Sequence, residues 1–361
     1  MTKKANNQSL GNARDAKQDE FYTQLGDISN ELKHYKAQLR GKTILCNCDD
    51  PFESNFFKYF ALNFNTLGLK KLIATSYLPS PIAGAQLPLF SIEGLKPEGK
   101  EPYAVEINEV SDLNGDGAVD LSDVEYLLQN DANTARTLKS DATYSSGDFR
   151  SREGVELLKQ SDIVITNPPF SLFREFVSQL VEYDKQFLIV GNMNAITYKE
   201  VFNLIIENKI WLGNKNGDMA FKVPDHYEAR ETRFWVDADG QKWRSLGNAC
   251  WFTNMDTIKR HEKIPLYKRY TPDEYPQYDN YDAIEVSKVA EIPVDYPGAM
   301  GVPITFLDKY NPDQFEILWT TDRGGDGRLE HLKKPHVRFD APVVDGKGIY
   351  KRIIIKQKVA L

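Results

Sequence analysis

The sequence predicts an α/β protein built around a parallel sheet, with an inserted segment and a smaller C-terminal region. Short apolar runs alternate with amphipathic runs over 43–77 and again over 161–212, the pattern of strand–helix–strand units. Residues 79–144 begin with prolines among glycines and are strand-like only at 103–107, so we interpret them as an insertion outside the sheet. Beyond residue 259 the chain is rich in proline, tyrosine and charge, which predicts short strands.

The composition is that of a soluble globular protein. The 361 residues are 41% hydrophobic and 27% charged, enough for two domains or one large domain with an insertion. No apolar run approaches the ~18 residues of a membrane span. The polar residues 1–19, expected to be disordered, lack the apolar core of a signal peptide. Three cysteines, Cys46, Cys48 and Cys250, fit a reducing compartment rather than a disulfide framework, so we expect a cytoplasmic protein.

The charge is unevenly distributed along the chain. The net charge is −7, but residues 101–150 hold eleven acidic and three basic side chains, so the rest is close to neutral. Residues 209–269 hold twelve basic and eight acidic side chains. Because phosphate contact depends on where the cations lie, the acidic total does not exclude a nucleic-acid partner.

The first half contains one complete strand–helix–strand unit. Ser29 is placed to cap a helix over 29–40, and the apolar run 43–48 predicts a strand. A helix then opens at Ser54 and ends near Gly68, and 71–77 predicts a second strand. The helical crossover predicts that the two strands are parallel.

The second half continues this alternation and then changes. Ser171 and Thr197 are predicted helix caps, the latter in a capping box with Glu200. Two later apolar runs flank Asp239 and Gly240, which predicts an antiparallel hairpin. The predicted strands are 161–166, 186–191, 210–212 and 353–355, the helices 171–183 and 197–208, and the hairpin strands 232–236 and 248–252.

Residues 162–170 form the motif that carries chemistry. They read Asp-Ile-Val-Ile-Thr-Asn-Pro-Pro-Phe, a buried strand followed by a turn with two prolines and then a helix. This places Asn167, Pro168, Pro169 and Phe170 at the carboxyl edge of a parallel sheet, where open α/β sheets bind ligands. The plainer alternative is a turn without chemistry, because such tetrapeptides also arise by chance in loops.

The residue types of this turn suit an aromatic amine. An amino group conjugated to a ring is a poor nucleophile, because its lone pair is delocalised. Two fixed acceptors, the Asn167 side-chain oxygen and the Pro168 carbonyl, can accept hydrogen bonds from both amino N–H groups and direct the lone pair at an electrophile. The prolines hold these acceptors in place, and Phe170 offers a flat face for a planar base.

The motif resembles the catalytic loop of S-adenosylmethionine-dependent amino-methyltransferases, and its Asn-Pro-Pro-Phe form resembles the adenine-specific DNA type. Further blocks, from about residue 19 to the C-terminus, resemble the EcoRI-type adenine-specific methyltransferase family; they are 46–51 with 54–60, 147–151, 191–200 and 301–310. The resemblance implies a Rossmann-like S-adenosylmethionine-dependent methyltransferase fold over 20–260, with an insertion at 79–146, and a C-terminal target-recognition region over 261–361.

The resemblance also implies the residues of the site. The catalytic residues are Asn167, Pro168, Pro169 and Phe170. The cofactor S-adenosylmethionine is held by an N-terminal segment, the loop after the first strand, the end of the second strand, an Asp-Phe pair at its adenine, and the catalytic loop. These residues are Phe21, Tyr22, Asn47, Cys48, Asp49, Asp50, Thr75, Asp148, Phe149 and Asn167. The first loop lacks the Gly-x-Gly of the wider methyltransferase pattern, and the second strand lacks its terminal acidic residue.

The implied reaction is displacement of the methyl group of S-adenosylmethionine by the 6-amino group of adenine in double-stranded DNA. Because that group lies inside the duplex, the base must be flipped out. No membrane partner is implied, and a cognate restriction system is left open. Two alternatives remain at this point: a methyltransferase acting on an RNA base or a protein glutamine, and a non-enzymatic calcium-dependent binding module.

Residues 112–123 match the spacing of an EF-hand calcium loop. The predicted ligands of a structural Ca²⁺ are Asp112, Asn114, Asp116, the Ala118 carbonyl, Asp120 and Asp123. The last position is Asp instead of the usual bidentate Glu, and the residues before the loop are strand-like rather than helical. The alternative is an acidic surface turn that caps a helix at Ser122.

Aromatic and basic clusters in the second half have two interpretations each. Four aromatic side chains either wall a pocket for a flipped base or, as we expect for most of them, pack in the core of a hairpin; they are Trp235, Trp243, Trp251 and Phe252. The basic stretches 259–263 and 331–338 either contact phosphates or form solvated surface.

Overall fold

The computed structural model describes residues 23–48, 51, 54–76, 102–111, 123, 134–223, 225, 227–321, 330–334 and 341–358. The predicted disorder of residues 1–19 lies outside them. The described residues fall into two units. One takes those up to Ala195 together with Lys215–Met255, and the other takes Ile196–Asn214 and those from Asp256 onward. Among the described residues, no helix is both long and apolar enough to cross a bilayer.

The first unit is an α/β unit built on a mixed sheet, with nine strands among the described residues. They are β1 (Thr43–Cys46), β2 (Lys71–Thr75), β3 (Tyr103–Ile107), β4 (Thr134–Thr137), β5 (Ile163–Thr166), β6 (Gln186–Asn192), β7 (Trp211–Lys222), β8 (Phe234–Val236) and β9 (Lys242–Thr253). The strand order is β4-β3-β2-β1-β5-β6-β9-β7, and β8 also pairs with β9. The predicted parallel pairing is confirmed for β2, β1, β5 and β6.

The interpretation of 79–144 as lying outside the sheet is wrong. β3 pairs antiparallel with β2, and β4 pairs antiparallel with β3. Tyr103, Val105 and Ile107 are buried in β3, so its apolar side chains gain burial by extending the sheet. The prolines that suggested a break precede β3 in the chain and do not interrupt its hydrogen-bond ladder.

The helices predicted for the first unit are present, but several of them begin or end at other residues than predicted. They are α1 (Leu25–Leu32), α2 (Lys36–Leu39), α3 (Asn55–Leu62), α4 (Phe64–Leu67), α5 (Arg152–Gln160) and α6 (Phe173–Glu182), and a 3₁₀ turn spans Phe170–Leu172. The single helix predicted over 29–40 is instead α1 and α2, and Ser29 is not its cap. Ser54 caps α3 as predicted, and Gly68 ends α4 in the left-handed region at φ +62°. Ser171 lies inside the 3₁₀ turn, so it does not cap α6.

The predicted hairpin around Asp239 and Gly240 is confirmed as β8 and β9, with Trp235 opposite Trp243. β9 starts at Lys242, earlier than predicted, because its ladder continues past the apolar run 248–252. β7 is likewise a twelve-residue strand rather than the short run 210–212. The polar residues of β7 do not predict a strand. Its backbone hydrogen bonds come from pairing with the long neighbouring strand β9.

The second unit begins with a 3₁₀ turn that starts in the first unit, Met193–Thr197, and continues with α7 (Lys199–Ile206) and α8 (Ile258–His261). Tyr198, not the predicted Thr197, is the N-cap of α7. Four strands, in the order β10-β11-β15-β12, form its sheet: β10 (Ile284–Glu285), β11 (Met300–Val302), β12 (Phe315–Thr320) and β15 (Ile353–Gln357). The short pair β13 (Val343–Val344) and β14 (Lys347–Gly348) lies apart from it, and further 3₁₀ turns span Val289–Glu291, Ile304–Lys309 and Glu330–Leu332.

Candidate active site

The candidate site lies at the point in the parallel part of the first sheet where the order of the strands reverses. The chain leaves β1 for β2 on one side and returns through β5 on the other. Connections that diverge from neighbouring parallel strands leave a crevice at their carboxyl ends, the usual ligand site of such sheets. Leu45 pairs with Val164 across β1 and β5, so Asn47 and Asn167 both follow this pair at the same edge.

The Asn-Pro-Pro-Phe loop is held between the strand and the helix that follow one another here. The Asn167 side chain is only 6% exposed, Pro168 is buried, and Pro169 and Phe170 are half-buried. Phe170 packs against the hydrophobic cluster under the sheet. The Leu172 N–H donates to the Pro169 carbonyl at 3.0 Å and closes the 3₁₀ turn. The loop is therefore anchored on both sides of its prolines.

A glycine on β6 fixes where α6 begins. A Cβ atom at Gly191 would lie 2.5 Å from Phe173 Cε2 and 2.9 Å from Phe252 Cε2. Only glycine leaves room for Phe173, the first residue of α6, to lie directly on the strand. Phe173 and Phe252 have ring centroids 4.9 Å apart. This close packing sets the end point of the Asn-Pro-Pro-Phe loop.

The predicted Asp148–Phe149 pair lies in a tight turn before α5. Both side chains are buried, and Gly147 adopts φ +78° just before them. A Cβ atom at Gly154 would lie 2.7 Å from the Asp148 carbonyl oxygen, so the glycine lets the turn lie against the first turn of α5. Ser151 caps that helix by accepting from the Gly154 N–H at 3.1 Å.

Arg150 provides the main electrostatic partner of this turn. Its backbone N–H and Nε donate to Asp148 Oδ1, both at 2.9 Å, and its Nη2 donates to Asp148 Oδ2 at 2.8 Å. The side-chain hydrogen bonds to Asp148 are the largest cause of a raised Arg150 pKa. A carboxylate offers about four acceptor positions, so Asp148 keeps about one, on Oδ2, for a further donor.

The same turn is tied to α6, the helix that follows the Asn-Pro-Pro-Phe loop. Arg150 Nη1 pairs with Glu175 at 2.5 Å, and Gln179 Nε2 donates to the Phe149 carbonyl at 3.1 Å. Phe149 and Phe176 meet edge to face with ring centroids 4.9 Å apart. Sequence reasoning missed Arg150, Glu175 and Gln179. The spacing of Glu175 and Gln179 on one helix face was their only signal, and ordinary surface helices share it.

The remaining predicted cofactor residues divide into described and undescribed positions. Asn47 and Thr75 are buried at the ends of β1 and β2. The Cys48 thiol donates to Asn47 Oδ1 at 3.7 Å. Asn47, Thr75 and Asn167 therefore follow adjacent parallel strands at one edge. The other predicted cofactor residues lie outside the described residues; they are Phe21, Tyr22, Asp49 and Asp50.

Two buried hydroxyls lie in the segments around the candidate site. Thr23 Oγ1 and Thr166 Oγ1 make no hydrogen bond to any described residue. Thr166 ends β5, and the Thr23 carbonyl accepts from Asn55 Nδ2 at 2.8 Å, which places it beside the first residue of α3. A buried hydroxyl without a partner costs about 1–3 kcal/mol, which a polar ligand can offset.

The structure describes one of the predicted calcium ligands. Asp123 is buried, whereas Asp112, Asn114, Asp116, Ala118 and Asp120 lie outside the described residues. Within the described ranges, no group of three or more His, Cys, Asp or Glu residues is arranged to hold a metal ion. The structure therefore adds no support for calcium.

The aromatic and basic clusters separate into core and surface. Trp251 and Phe252 are fully buried, as expected for core residues, but Trp235 is exposed and stacks on Trp243. Two cations of the basic stretch 259–263 make structural contacts: Lys259 Nζ donates to two backbone carbonyls and pairs with an aspartate, and the Arg260 guanidinium lies 3.7 Å from the centroid of an indole ring. Of 331–338, residues 331–334 are described.

Comparison with known proteins identifies the family. A family model described as "Adenine-specific methyltransferase EcoRI" matches residues 9–358. The chain is 45% identical over 366 residues to the Type II methyltransferase M.EcoRI of Escherichia coli, covering 99% of both chains. It is 37% identical over 356 residues to the Type II methyltransferase M.MpnI of Mycoplasma pneumoniae, covering 96% of this chain and 97% of that one.

A third relative is the Type II methyltransferase M.MgeORF184P of Mycoplasma genitalium, 35% identical over 358 residues, with 96% of this chain and 98% of that one covered. No solved structure matches the chain significantly. The family match and all three relatives extend over nearly the whole length, well beyond the Asn-Pro-Pro-Phe loop. The chain therefore belongs to the EcoRI family of adenine-specific methyltransferases, as its sequence blocks predicted.

Proposed function

We propose that this protein transfers the methyl group of S-adenosylmethionine to the 6-amino group of adenine in double-stranded DNA. The observation that carries the proposal is the position of Asn167-Pro168-Pro169-Phe170, anchored at the carboxyl end of β5 beside the crevice between β1 and β5. The family is adenine-specific, which argues against a protein glutamine as the acceptor and against a non-enzymatic calcium module. The Type II names of the relatives favour DNA over RNA.

In this mechanism the loop acts on the amino group. Asn167 Oδ1 and the Pro168 carbonyl accept hydrogen bonds from its two N–H groups, which turns the nitrogen lone pair toward the methyl group. When bound, S-adenosylmethionine supplies a methyl group made electrophilic by its sulfonium. Once the methyl group has passed from sulfur to nitrogen, the cationic amino group loses one proton to solvent, so no side chain has to act as a general base. Pro168 and Pro169 keep the acceptors fixed, so no reorganisation is needed at the moment of reaction.

The cofactor is held by residues from three connections of the sheet. Asp148 accepts a hydrogen bond from the amino group of the cofactor's adenine at the Oδ2 acceptor position that Arg150 leaves open. Phe149 packs on the adenine ring. Asn47, Thr75 and the neighbouring Thr23 and Thr166 hydroxyls supply polar contacts to the rest of the cofactor. Phe21, Tyr22, Cys48, Asp49 and Asp50 complete this set in the proposal.

The DNA base reaches the loop by leaving the duplex. Flipping costs a few kcal/mol, which stacking on Phe170 and contacts to the backbone offset. A Rossmann-like methyltransferase domain over 20–260 and a target-recognition region over 261–361 belong to the same proposal. The parallel strands around the crevice support the first domain, and the second unit agrees with the second from Asp256 onward, although it also takes Ile196–Asn214. Calcium binding at 112–123 and a cognate restriction system stay predictions.

The experiment measures methyl transfer from tritiated S-adenosylmethionine to DNA from a host without adenine methylation. Asn167→Ala should lower the rate by about 100-fold or more, because one acceptor of the transition state is lost. Binding of S-adenosylmethionine, measured by calorimetry, should change far less than the rate, because Asn167 is only one of the residues proposed to hold the cofactor. Sequencing the plasmid DNA of the expressing host identifies the modified base.

The matched control is Asn254→Ala. Asn254 bonds the Phe187 N–H and the Lys185 carbonyl at the opposite edge of the sheet, so its loss should affect stability and leave the rate per folded molecule unchanged. An Asn167→Ala protein with the wild-type rate would refute the mechanism. A wild-type protein that modifies no adenine in DNA would refute the substrate.

A further inference from the structure

A two-stranded arm extends from the sheet edge that carries the Asn-Pro-Pro-Phe loop. We define the β-arm as β8 together with residues 242–248 of β9. At the carboxyl end of β6, Asn192 pairs with Ala249 of β9, and the Asn248 amide donates to Asn192 Oδ1 at 2.9 Å. Residues 242–248 therefore continue beyond the last residue of β6.

The β-arm lies on the side of β9 that faces the loop. One edge of β9 pairs with β7, so β6 and β8 share the other edge, with β8 farther out. β5 and β9 are separated only by β6, which places them about 10 Å apart in the sheet. Trp243 precedes Ala249 by six residues, or about 20 Å of extended strand. That length corresponds to about six base pairs at ~3.4 Å each.

The outer face of the β-arm carries an aromatic pair. Trp235 and Trp243 are directly opposite in the ladder, and their rings are parallel with centroids 6.0 Å apart. Trp235 is 42% exposed and the adjacent Val236 is 52% exposed. Phe234, on the other face of β8, packs against the hydrophobic cluster, so the indole pair faces away from the core. The two stacked indoles form one apolar surface on that face.

Charged side chains lie on both faces of the β-arm. Lys242 and Arg244 are opposite Val236 and Phe234 in the ladder, on the face away from the indole pair, where Lys242 Nζ donates to the carbonyls of Asp225 and Tyr227 and Arg244 Nη1 donates to those of Thr232 and Arg233. Beside the indole pair, Lys222 Nζ lies 5.6 Å from the centroid of the Trp243 ring, and Trp243 Nε1 donates to Asp237 Oδ2 at 2.7 Å. Arg233 pairs with Asp218 at 3.3 Å, and such an exposed pair contributes little and can exchange for a phosphate.

We propose that the outer face of the β-arm contacts the DNA duplex beside the flipped adenine, with Trp235 packed against the nucleic acid. This rests on the proposed function, since the duplex must continue on both sides of the flipped base. A two-stranded ribbon fits a DNA groove, and apolar side chains can wedge against base steps. The stacked pair also stabilises the hairpin itself, so the experiment separates the two roles.

The test compares Trp235→Val with the wild-type protein, because valine keeps strand propensity while removing the indole. Binding is measured by anisotropy with a fluorescein-labelled 40-base-pair duplex of mixed sequence. Trp235→Val should weaken binding about tenfold, with unchanged affinity for S-adenosylmethionine. The control is Tyr183→Val, which removes a half-buried aromatic ring after the last residue of α6, at the opposite edge of the sheet, and should leave duplex binding unchanged.

A second measurement uses the wild-type protein and does not depend on how the variant folds. Addition of the duplex should reduce quenching of tryptophan fluorescence by acrylamide, because the exposed indole becomes covered. Wild-type duplex affinity in Trp235→Val, or equal losses in both variants, overturns the proposal, as does quenching that the duplex leaves unchanged. Failure of the proposed function shows differently, as absent methyl transfer by the wild-type protein whatever the duplex affinity of the variants.

Discussion

At the residue scale, Arg150 connects two parts of the site that are distant in sequence. It holds the Asp148 carboxylate with three hydrogen bonds and reaches Glu175 on α6. The helix that follows the Asn-Pro-Pro-Phe loop thus also positions the turn proposed to bind the cofactor's adenine. Glu175 acts through Arg150 and is a positioning residue.

Glu175→Gln should weaken S-adenosylmethionine binding two- to fivefold, about the value of an exposed ion pair, and leave the rate at saturating cofactor unchanged. The side chain is 57% exposed, so the variant should fold. Calorimetric titration gives the affinity, and steady-state rates give the split between KM and kcat. Glu182→Gln, exposed at the far end of α6, is the control. Equal affinities in both variants would show that the ion pair has no positioning role.

A buried hydrogen-bonded cluster in the second unit predicts that one methyl group added at Gly301 lowers the stability. Tyr278 donates to Glu285 at 2.5 Å, and Arg352 binds both oxygens of that carboxylate. Burial raises the Tyr278 pKa, so its hydroxyl stays a donor. A Cβ atom at Gly301 would lie 2.0 Å from the Tyr278 hydroxyl oxygen.

Gly301→Ala should therefore destabilise the protein by about 1–3 kcal/mol, the usual cost of overpacking. The melting temperature of the second unit, followed by differential scanning calorimetry, measures this. Gly26→Ala is the control, because a Cβ there has nothing within 4 Å and alanine favours the helix. Equal melting temperatures for the two variants would contradict the expected clash.

At the element scale, the turn before α5 depends on one carboxylate. Asp141 accepts the backbone N–H groups of Tyr144 and Thr143, both at 2.7 Å, and that of Arg152 at 2.8 Å. These bonds, that of Tyr144 first, lower the Asp141 pKa from its ordinary value of 3.8. Because the folded pKa is the lower one, the stabilisation is present above about pH 4 and is lost as the pH falls through the folded value.

Asp141→Asn should lower the melting temperature near pH 6, and its difference from the wild type should shrink toward about pH 3. Melting curves followed by circular dichroism at several pH values measure this difference. Glu182→Gln, which removes an exposed carboxylate outside the turn, should show no such trend. A difference for Asp141→Asn that grows as the pH falls would have the wrong sign for this cause.

Elements with agreeing local signals could be predicted from the sequence. β5, the proline turn and α6 follow one another as an apolar run, Asn-Pro-Pro and an amphipathic run, and the structure places them so. The sequence is strand-like at 103–107, which is β3, but neither its place in the sheet nor the strand β4 could be predicted, because both depend on pairing with residues distant in sequence. The contacts of Arg150 to Glu175 and of Gln179 to Phe149 are equally non-local.

At the scale of the whole molecule, the charge of the chain opposes the proposed substrate. The net charge is −7, and the acidic excess is concentrated in 101–150. DNA binding must therefore rest on local cations, including those of the β-arm. The sequence could predict this imbalance, but not that Lys259 and Arg260 are taken up by structural contacts, because their partners depend on the fold.

Raising the salt concentration from about 50 to about 200 mM should weaken duplex binding tenfold or more, since phosphate contacts release counterions. Anisotropy titrations with the mixed-sequence duplex give the slope of affinity against salt. S-adenosylmethionine binding over the same range serves as the reference and should change little. Duplex binding that is insensitive to salt would mean that cations do not carry the interaction.

The outermost strand β4 bears on how this protein behaves at high concentration. It has four residues and carries Arg136 near its middle, paired with Glu153 and close to Glu106. Among the described residues β4 is the last strand on its side of the sheet, and an edge strand can pair with a strand of another molecule. A short strand with a central cation discourages this, so an apolar residue in place of Arg136 would favour self-association through this edge.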